Sequence, residues 1–194
     1  MVKKNFNLKE LIEASNEALK KKDYLKAKNI LENIISIKNN IFEVHNNLGI
    51  VFLNLNEIEN SINHLEKAIA LNPKISMTYL NLGIAYEKFK EHKSAAKNYL
   101  KAIKFDKKNF FAYFNIGNLF KLKNKIDKAE KYLLKTIKLN PSFPGAYNNL
   151  FEIFDRSNQT DKFEKLLNLS RVNLKNKTFV SFFSGMLEYK KKKL

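Results

Sequence analysis

Four asparagines recur at one position of a 34-residue spacing, and they are the side chains best suited to recognition chemistry. They are Asn47, Asn81, Asn115 and Asn149. An asparagine amide offers two hydrogen-bond donors and an acceptor, the groups that complement a peptide main chain. Amides repeated one structural unit apart can therefore pair with the backbone of an extended peptide, whatever side chains that peptide carries. Because asparagine is abundant in this chain, compositional bias is the competing explanation.

Aromatic and amide residues stand beside two of these asparagines in the sequence. Phe111 and Phe114 precede Asn115 and could form an apolar pocket for one ligand side chain. The alternative for Phe114 is that it packs between adjacent helices. The residues predicted to bind a peptide are Asn47, Asn81, Asn115, Asn149, Asn118, Phe111, Phe114 and Asn148.

No pattern in the chain predicts catalysis, a cofactor or a metal. The chain has no cysteine, which excludes a disulfide framework, a thiolate metal site and a cysteine nucleophile. Its three histidines, His45, His64 and His92, look too few and too scattered for a metal cluster. There is no glycine-rich phosphate loop and no nucleophile elbow. The sequence thus predicts a chain that is not an enzyme by itself.

The glycines indicate which elements position the asparagines. Gly49, Gly83 and Gly117 are 34 residues apart, and Gly185 lies two further periods along. A fixed period of this length is typical of a helical repeat array. Glycine inside a helix costs about 1 kcal/mol relative to alanine, so a recurring glycine needs a recurring reason. We expect two helices to approach closely there, with Gly83 facing Ala95 of the next helix.

Aligned on that period, the chain divides into five repeats with helical spacing of apolar residues. The predicted divisions are an N-terminal extension 1–7, repeats 8–41, 42–75, 76–109, 110–143 and 144–177, and a terminal segment 178–194. The third repeat resembles the tetratricopeptide repeat (TPR) family at Tyr79, Leu82, Gly83, Tyr86, Ala95, Tyr99 and Ala102. The second and fourth repeats match the same pattern, and the first and fifth match it more weakly.

The resemblance implies an all-α fold, a right-handed α-solenoid of helix-turn-helix repeats with the first helices lining a concave face. It also implies a scaffold for protein–protein interaction that binds a partner protein or an extended peptide in that groove. The asparagine series is similar to the ladder in the TPR superhelix of O-GlcNAc transferase-type proteins. In the fifth repeat, Phe151 and Phe163 replace the glycine and the small residue, which predicts wider helix spacing and a local bend.

Charge suggests a second type of partner. Lysine and arginine number 36 against 19 acids, giving +17. Only Arg156 and Arg171 are arginines, although bidentate recognition of phosphates and bases favours arginine. We therefore attribute the excess mainly to AT-rich codon usage. Weak binding of nucleic acid or acidic lipid to a lysine-rich convex face is the minor alternative. The middle of the concave face is expected to be nearly free of lysine, with Lys9 as the exception near its entrance.

The end of the chain leaves two interpretations open. Phe179, Phe182, Phe183, Met186 and Leu187 form an apolar stripe, followed by a lysine run. This segment is either a capping helix or the start of a sixth repeat, and arrays of this style often precede a transferase domain, such as a glycosyltransferase or a sulfotransferase. With no signal peptide in residues 1–6 and no apolar run near the ~20 residues that span a bilayer, the sequence predicts a cytoplasmic location. It predicts no particular oligomeric state.

Overall fold

The computed structural model describes residues 7–192, and all regular structure in that range is α-helical. Residues 1–6 of the predicted N-terminal extension and Lys193 of the lysine run lie outside the described residues. The helices of the described range are α1 (Leu8–Lys20), α2 (Tyr24–Ile37), α3 (Phe42–Asn54), α4 (Ile58–Leu71), α5 (Ser76–Lys88), α6 (His92–Phe105), α7 (Phe110–Leu122), α8 (Ile126–Leu139), α9 (Pro144–Arg156), α10 (Thr160–Asn173) and α11 (Lys177–Lys191).

The helices belong to two compact units, the first ending at Lys107 and the second beginning at Lys108. Unit 1 contains α1 to α6, and unit 2 contains α7 to α11. In each unit an odd-numbered first helix packs on the even-numbered second helix that follows it. Apolar residues from consecutive helices form each core; Leu31 and Leu48 are buried in unit 1, and Leu133 and Leu150 in unit 2.

The turn from first to second helix has the same geometry in every pair. Its central residue adopts a left-handed backbone with φ between 53° and 63° at Lys22, Asn56, Lys90, Asn124 and Asn158. The next amide then donates back to a carbonyl of the first helix; Glu91 N, for example, lies 2.8 Å from Tyr86 O. This bond belongs to the Schellman ending, which satisfies carbonyls that a helix end leaves unpaired. The turn therefore recurs every 34 residues and fixes how each helix pair folds back.

The recurring glycines admit a large side chain from the second helix. A Cβ atom on Gly83 would lie 2.5 Å from Cε1 of Tyr99, and Tyr99 is fully buried. The expected large residue at this contact is therefore Tyr99, and at the position equivalent to Ala95 in the second repeat the Ser61 hydroxyl donates to the Gly49 carbonyl oxygen at 2.7 Å. Leu65 sits in the same way against Gly49. Glycine therefore recurs at this position because the ring of Tyr99, or the isobutyl group of Leu65, packs directly on the backbone of the first helix.

The fifth helix pair is packed differently. Phe151 and Phe163 are both fully buried, with ring centroids 4.7 Å apart. The backbones of α9 and α10 approach each other less closely than those of the preceding pairs. This agrees with the wider spacing that the sequence predicts, because two phenylalanines stand where the other repeats have a glycine and a small residue.

Helix α11 is out of phase with the other first helices. The connection before it has three residues, 174–176, where the connection before α9 has four, 140–143. Gly185 is consequently exposed, and nothing lies within 4 Å of a Cβ atom placed on it. Gly185 keeps the 34-residue spacing in the sequence but lacks the side-chain contact that Gly49, Gly83 and Gly117 make with a second helix. The expected apolar stripe is also rotated, since Phe183 and Leu187 are buried while Phe182 is 64% exposed.

Candidate peptide-binding faces

The predicted asparagines lie on first helices, each two residues before the position that contacts the following second helix. Those positions are Gly49, Gly83, Gly117 and Phe151. Two residues are about 200° around a helix, so the asparagines lie on the side turned away from the second helices. We call this side of α3 and α5 the first-helix face of unit 1, and this side of α7 and α9 the first-helix face of unit 2. Asn47 and Asn81 lie on the former, Asn115 and Asn149 on the latter. All four side chains are half-buried, so their amides remain open to solvent on one side.

In unit 1 the two asparagines differ in their bonding. The Asn47 Nδ2 donates to Oδ1 of Asn16 on α1 at 3.2 Å. Asn81, in contrast, makes no side-chain hydrogen bond within residues 7–192. The amide hydrogens and the carbonyl oxygen of Asn81 are therefore available to a ligand. Asn47 has one amide hydrogen and its carbonyl oxygen available in the same way.

In unit 2 one asparagine is held by a network and the other is not. The Asn149 Nδ2 donates to Oδ1 of Asn118 at 2.7 Å, and the Lys121 Nζ donates to Oδ1 of Asn149 at 2.7 Å. Asn115 makes no side-chain hydrogen bond within the described range. The network orients Asn149 across the α7–α9 boundary while leaving one of its amide hydrogens free. Asn148, next to it, is exposed.

Four phenylalanines cluster where α7 and α9 begin. Phe114 lies half-buried against Phe143, with ring centroids 4.9 Å apart. This position agrees with the alternative in which Phe114 packs between adjacent first helices. Phe111 remains 44% exposed, although its ring lies 4.1 Å from Phe110 and 5.9 Å from Phe143. Phe111 is thus the ring that a ligand could reach, and its neighbours form the wall behind it.

A charged cluster lies at the other end of the same face. Glu152 accepts from the Lys121 Nζ at 2.7 Å and from the Arg156 guanidinium at 2.9 Å. The hydrogen bond from Lys121, together with the positive charges of Lys121 and Arg156, holds the pKa of Glu152 below its usual value. The sequence places Lys121 at the turn after a first helix, and the structure has it in the last turn of α7. What the sequence does not indicate is that its ammonium group bonds Asn149 and Glu152 on α9.

Two histidines that are distant in sequence meet in unit 1. Nδ1 of His45 lies 3.0 Å from Nδ1 of His64, and Nε2 of His45 lies 2.7 Å from the Asn39 carbonyl oxygen. Because the carbonyl must accept, His45 donates from Nε2 and accepts at Nδ1 from His64. Burial, and secondly the neighbouring His45, lower the pKa of His64 to about 4. The sequence does not indicate this contact, because the two histidines are 19 residues apart and lie on different helices.

Lysines of the second helices cover aromatic rings. The Lys101 Nζ lies 5.2 Å from the ring centroid of Tyr79, and the Lys135 Nζ lies 5.9 Å from that of Tyr113. The lysine follows the tyrosine by 22 residues in both pairs, so the contact repeats with the fold. Part of the expected positive surface is therefore engaged in packing against rings.

Other kinds of site are not found in the part of the chain that the structure describes. Residues 7–192 contain no group of three or more histidine, aspartate or glutamate side chains placed to hold a metal ion. None of the helices in this range combines the length and the apolar character needed to cross a bilayer.

Solved structures with this fold cover nearly the whole chain. PilF of Pseudomonas aeruginosa is 16% identical, with a TM-score of 0.80 over 95% of this chain and 84% of its own. MamA of Desulfovibrio magneticus RS-1 is 20% identical, with a TM-score of 0.74 over 85% of this chain and 96% of its own. YrrB, described as a TPR protein with an unusual peptide-binding site, is 13% identical, with a TM-score of 0.70 over 92% of both chains. At these identities the likeness concerns the fold. No curated protein matches the chain in sequence.

Family profiles described as "Tetratricopeptide repeat" match three segments of the sequence. One profile matches residues 42–75 and 110–143, and another matches residues 78–109. Together these segments make up more than half of the chain, and each covers all or most of one first helix and the whole second helix that follows it. With its recurring turn, its glycine contacts and these matches, the chain belongs to the tetratricopeptide repeat family.

Proposed function

We propose that this protein is a non-catalytic interaction scaffold in which the first-helix face of each unit holds an extended segment of a partner protein. The asparagines would pair with the main chain of that segment. The observation that carries the proposal is the state of Asn81 and Asn115, whose half-buried amides have no hydrogen-bond partner within the described residues. An amide at such a position can exchange its bonds to water for bonds to a peptide.

The bonding of the other two asparagines supports the same proposal. Asn149 is held by Asn118 and Lys121, and Asn47 by Asn16, so each amide has a defined orientation and a spare donor. Groups oriented before a ligand arrives lose less conformational entropy on binding, which favours affinity. A binding role is also in keeping with YrrB, which shares this fold and is described as having a peptide-binding site.

The test is selection of binders from a displayed library of random 12-residue peptides. The affinities of the selected peptides are then measured by fluorescence anisotropy for the wild-type chain and for the double variant Asn81→Ala/Asn115→Ala. Each lost amide removes hydrogen bonds to the main chain, so we expect the double variant to bind about tenfold or more weakly. Its melting temperature should stay within about 2 °C of wild type, because neither amide contributes a bond to the fold.

A matched control replaces two asparagines of second helices. Asn63 on α4 and Asn168 on α10 are exposed, and changing both to alanine should leave peptide affinity unchanged. The proposal fails if no peptide is selected, or if selected peptides bind the Asn81/Asn115 variant as tightly as wild type. A collapse of the melting temperature in that variant would also overturn it, because the asparagines would then be structural.

A further inference from the structure

The first-helix face of unit 2 has a different chemical character at each end of its helices. Near the start of α7 and α9 stands Phe111, 44% exposed and backed by Phe110 and Phe143. In the last turns of the same helices stand Lys121 and Arg156. The asparagines Asn115, Asn118 and Asn149 lie between these ends.

The positive end retains binding capacity. Lys121 and Arg156 share the single carboxylate of Glu152, so this cluster of three groups carries one net positive charge. Arg156 is 77% exposed, and Nη2 is the guanidinium nitrogen that contacts Glu152, whereas a guanidinium carries five donor hydrogens. The three side chains line a cleft of about 210 Å³ together with Asn124, Ile126, Ile153 and Ser157. A carboxylate that enters this cleft could accept hydrogen bonds from the guanidinium hydrogens of Arg156 that do not contact Glu152, and the net positive charge of the cluster would attract it.

The position of the amides sets the direction of a bound main chain. Asn115 belongs to α7 and Asn149 to α9, so a peptide backbone that pairs with both must cross the two helices. Successive side chains of an extended peptide point to opposite sides of its backbone. One side chain would then point toward the helix starts and Phe111, and the next toward the helix ends and Arg156. From Phe111 to Lys121 is ten residues, about 15 Å along α7, which leaves room for a backbone with one side chain on either side.

We infer that unit 2 selects partner segments in which an apolar residue is directly followed or preceded by an acidic one, the apolar side chain lying on Phe111 and the carboxylate lying against Lys121 and Arg156. This inference rests on the proposed function, because the amides must hold the main chain for the alternation to apply. It adds a specificity that amide pairing alone does not have.

The experiment uses the same displayed library on the full chain and then swaps single groups. Peptides selected by the wild-type protein should be enriched in neighbouring pairs of one apolar and one acidic residue. For such a peptide, changing the acidic residue to its amide should weaken binding to wild type about fivefold or more. The Arg156→Gln variant should bind the acidic peptide and its amide form nearly equally, since the guanidinium that distinguishes them is gone.

A parallel pair tests the aromatic end. Phe111→Ser should bind a selected peptide and its form with alanine at the apolar position nearly equally, whereas wild type prefers the original. Arg171 is the only other arginine and lies on α10 away from this face, so Arg171→Gln should keep the wild-type preference for the acidic peptide. Melting temperatures check that each variant is folded.

The outcomes separate this inference from the proposal on which it rests. If selected peptides depend on Asn81 and Asn115 but show no apolar–acidic pairing, the specificity is wrong and the scaffold function stands. If Arg156→Gln still discriminates the acidic peptide from its amide form, the carboxylate does not bind here and the inference is overturned. If no peptide depends on the asparagines, the proposed function fails first.

Discussion

Adding one methyl group at Gly83 should destabilise the protein, although alanine is the better helix former. The Cβ atom of Gly83→Ala would lie 2.5 Å from Cε1 and 2.6 Å from Cδ1 of Tyr99. Carbon atoms attract optimally at about 3.5–4.0 Å, so the ring must move by about 1 Å. Tyr99 is fully buried, and its hydroxyl donates to Oε2 of Glu87 at 2.7 Å, which restricts that movement.

The magnitude follows from two opposing terms. Overpacking a buried site typically costs about 1–3 kcal/mol, and replacing a helical glycine with alanine returns about 1 kcal/mol. The net loss should be up to about 2 kcal/mol, or a melting temperature lower by up to about 8 °C in a chain of this size. Gly185→Ala is the matched control. Its Cβ atom meets nothing within 4 Å, so it should gain about 0.5–1 kcal/mol.

Urea unfolding followed by circular dichroism at 222 nm measures both variants against wild type. The informative quantity is the difference between Gly83→Ala and Gly185→Ala, which should be about 1–3 kcal/mol because helix propensity cancels between them and the overpacking cost remains. Equal unfolding midpoints for the two variants would refute the packing argument, since propensity alone would then govern both positions. Stabilisation by Gly83→Ala would refute it more strongly.

Two further predictions concern a turn and a buried pair. Lys90→Gly should stabilise the fold by about 0.5–1 kcal/mol, because Lys90 has a left-handed backbone (φ 63°) that glycine adopts without steric cost; Lys97→Gly in the middle of α6 should lose about 1 kcal/mol in the same urea assay. The pKa of His64 is depressed to about 4 from 6.5, so the unfolded chain binds this proton before the folded chain does. Stability should therefore fall as the pH drops from about 6.5 to about 4, by on the order of 1–2 kcal/mol after allowance for partial exposure. His64→Gln should lack this part of the pH dependence, and identical pH profiles for variant and wild type would contradict the assignment.

The repeat could be predicted because its signals are local and recur. The glycine, the small residue and the apolar spacing are needed wherever two helices pack closely, and the same residue types therefore recur from repeat to repeat. The left-handed turn was not predicted, because lysine and asparagine both occupy it and no single residue type marks the position. What recurs there is a backbone conformation, which the residue types of Lys90 and Asn124 encode only weakly.

The features that the sequence does not indicate have physical causes. Gly185 kept the sequence period by coincidence, while a connection one residue shorter rotated α11 and moved Phe182 to the surface. The contact between His45 and His64 joins two helices of one pair, and it depends on side-chain rotamers that spacing does not specify. Lys121 reaches Asn149 because its side chain is long enough to cross to the next first helix.

The lysines that lie over aromatic rings change what the large formal charge of the chain means. Lys28, Lys101, Lys128, Lys135 and Lys162 each place an ammonium group between 5.0 and 5.9 Å from a ring centroid. An ammonium group over a ring covers a ring face and gains a favourable cation–π interaction there. Lysine is frequent in this chain, and the same residue type thus covers phenylalanine and tyrosine rings and keeps the surface hydrated. The number of basic residues in such a protein therefore reflects two roles of lysine, which are covering aromatic side chains and attracting anionic partners.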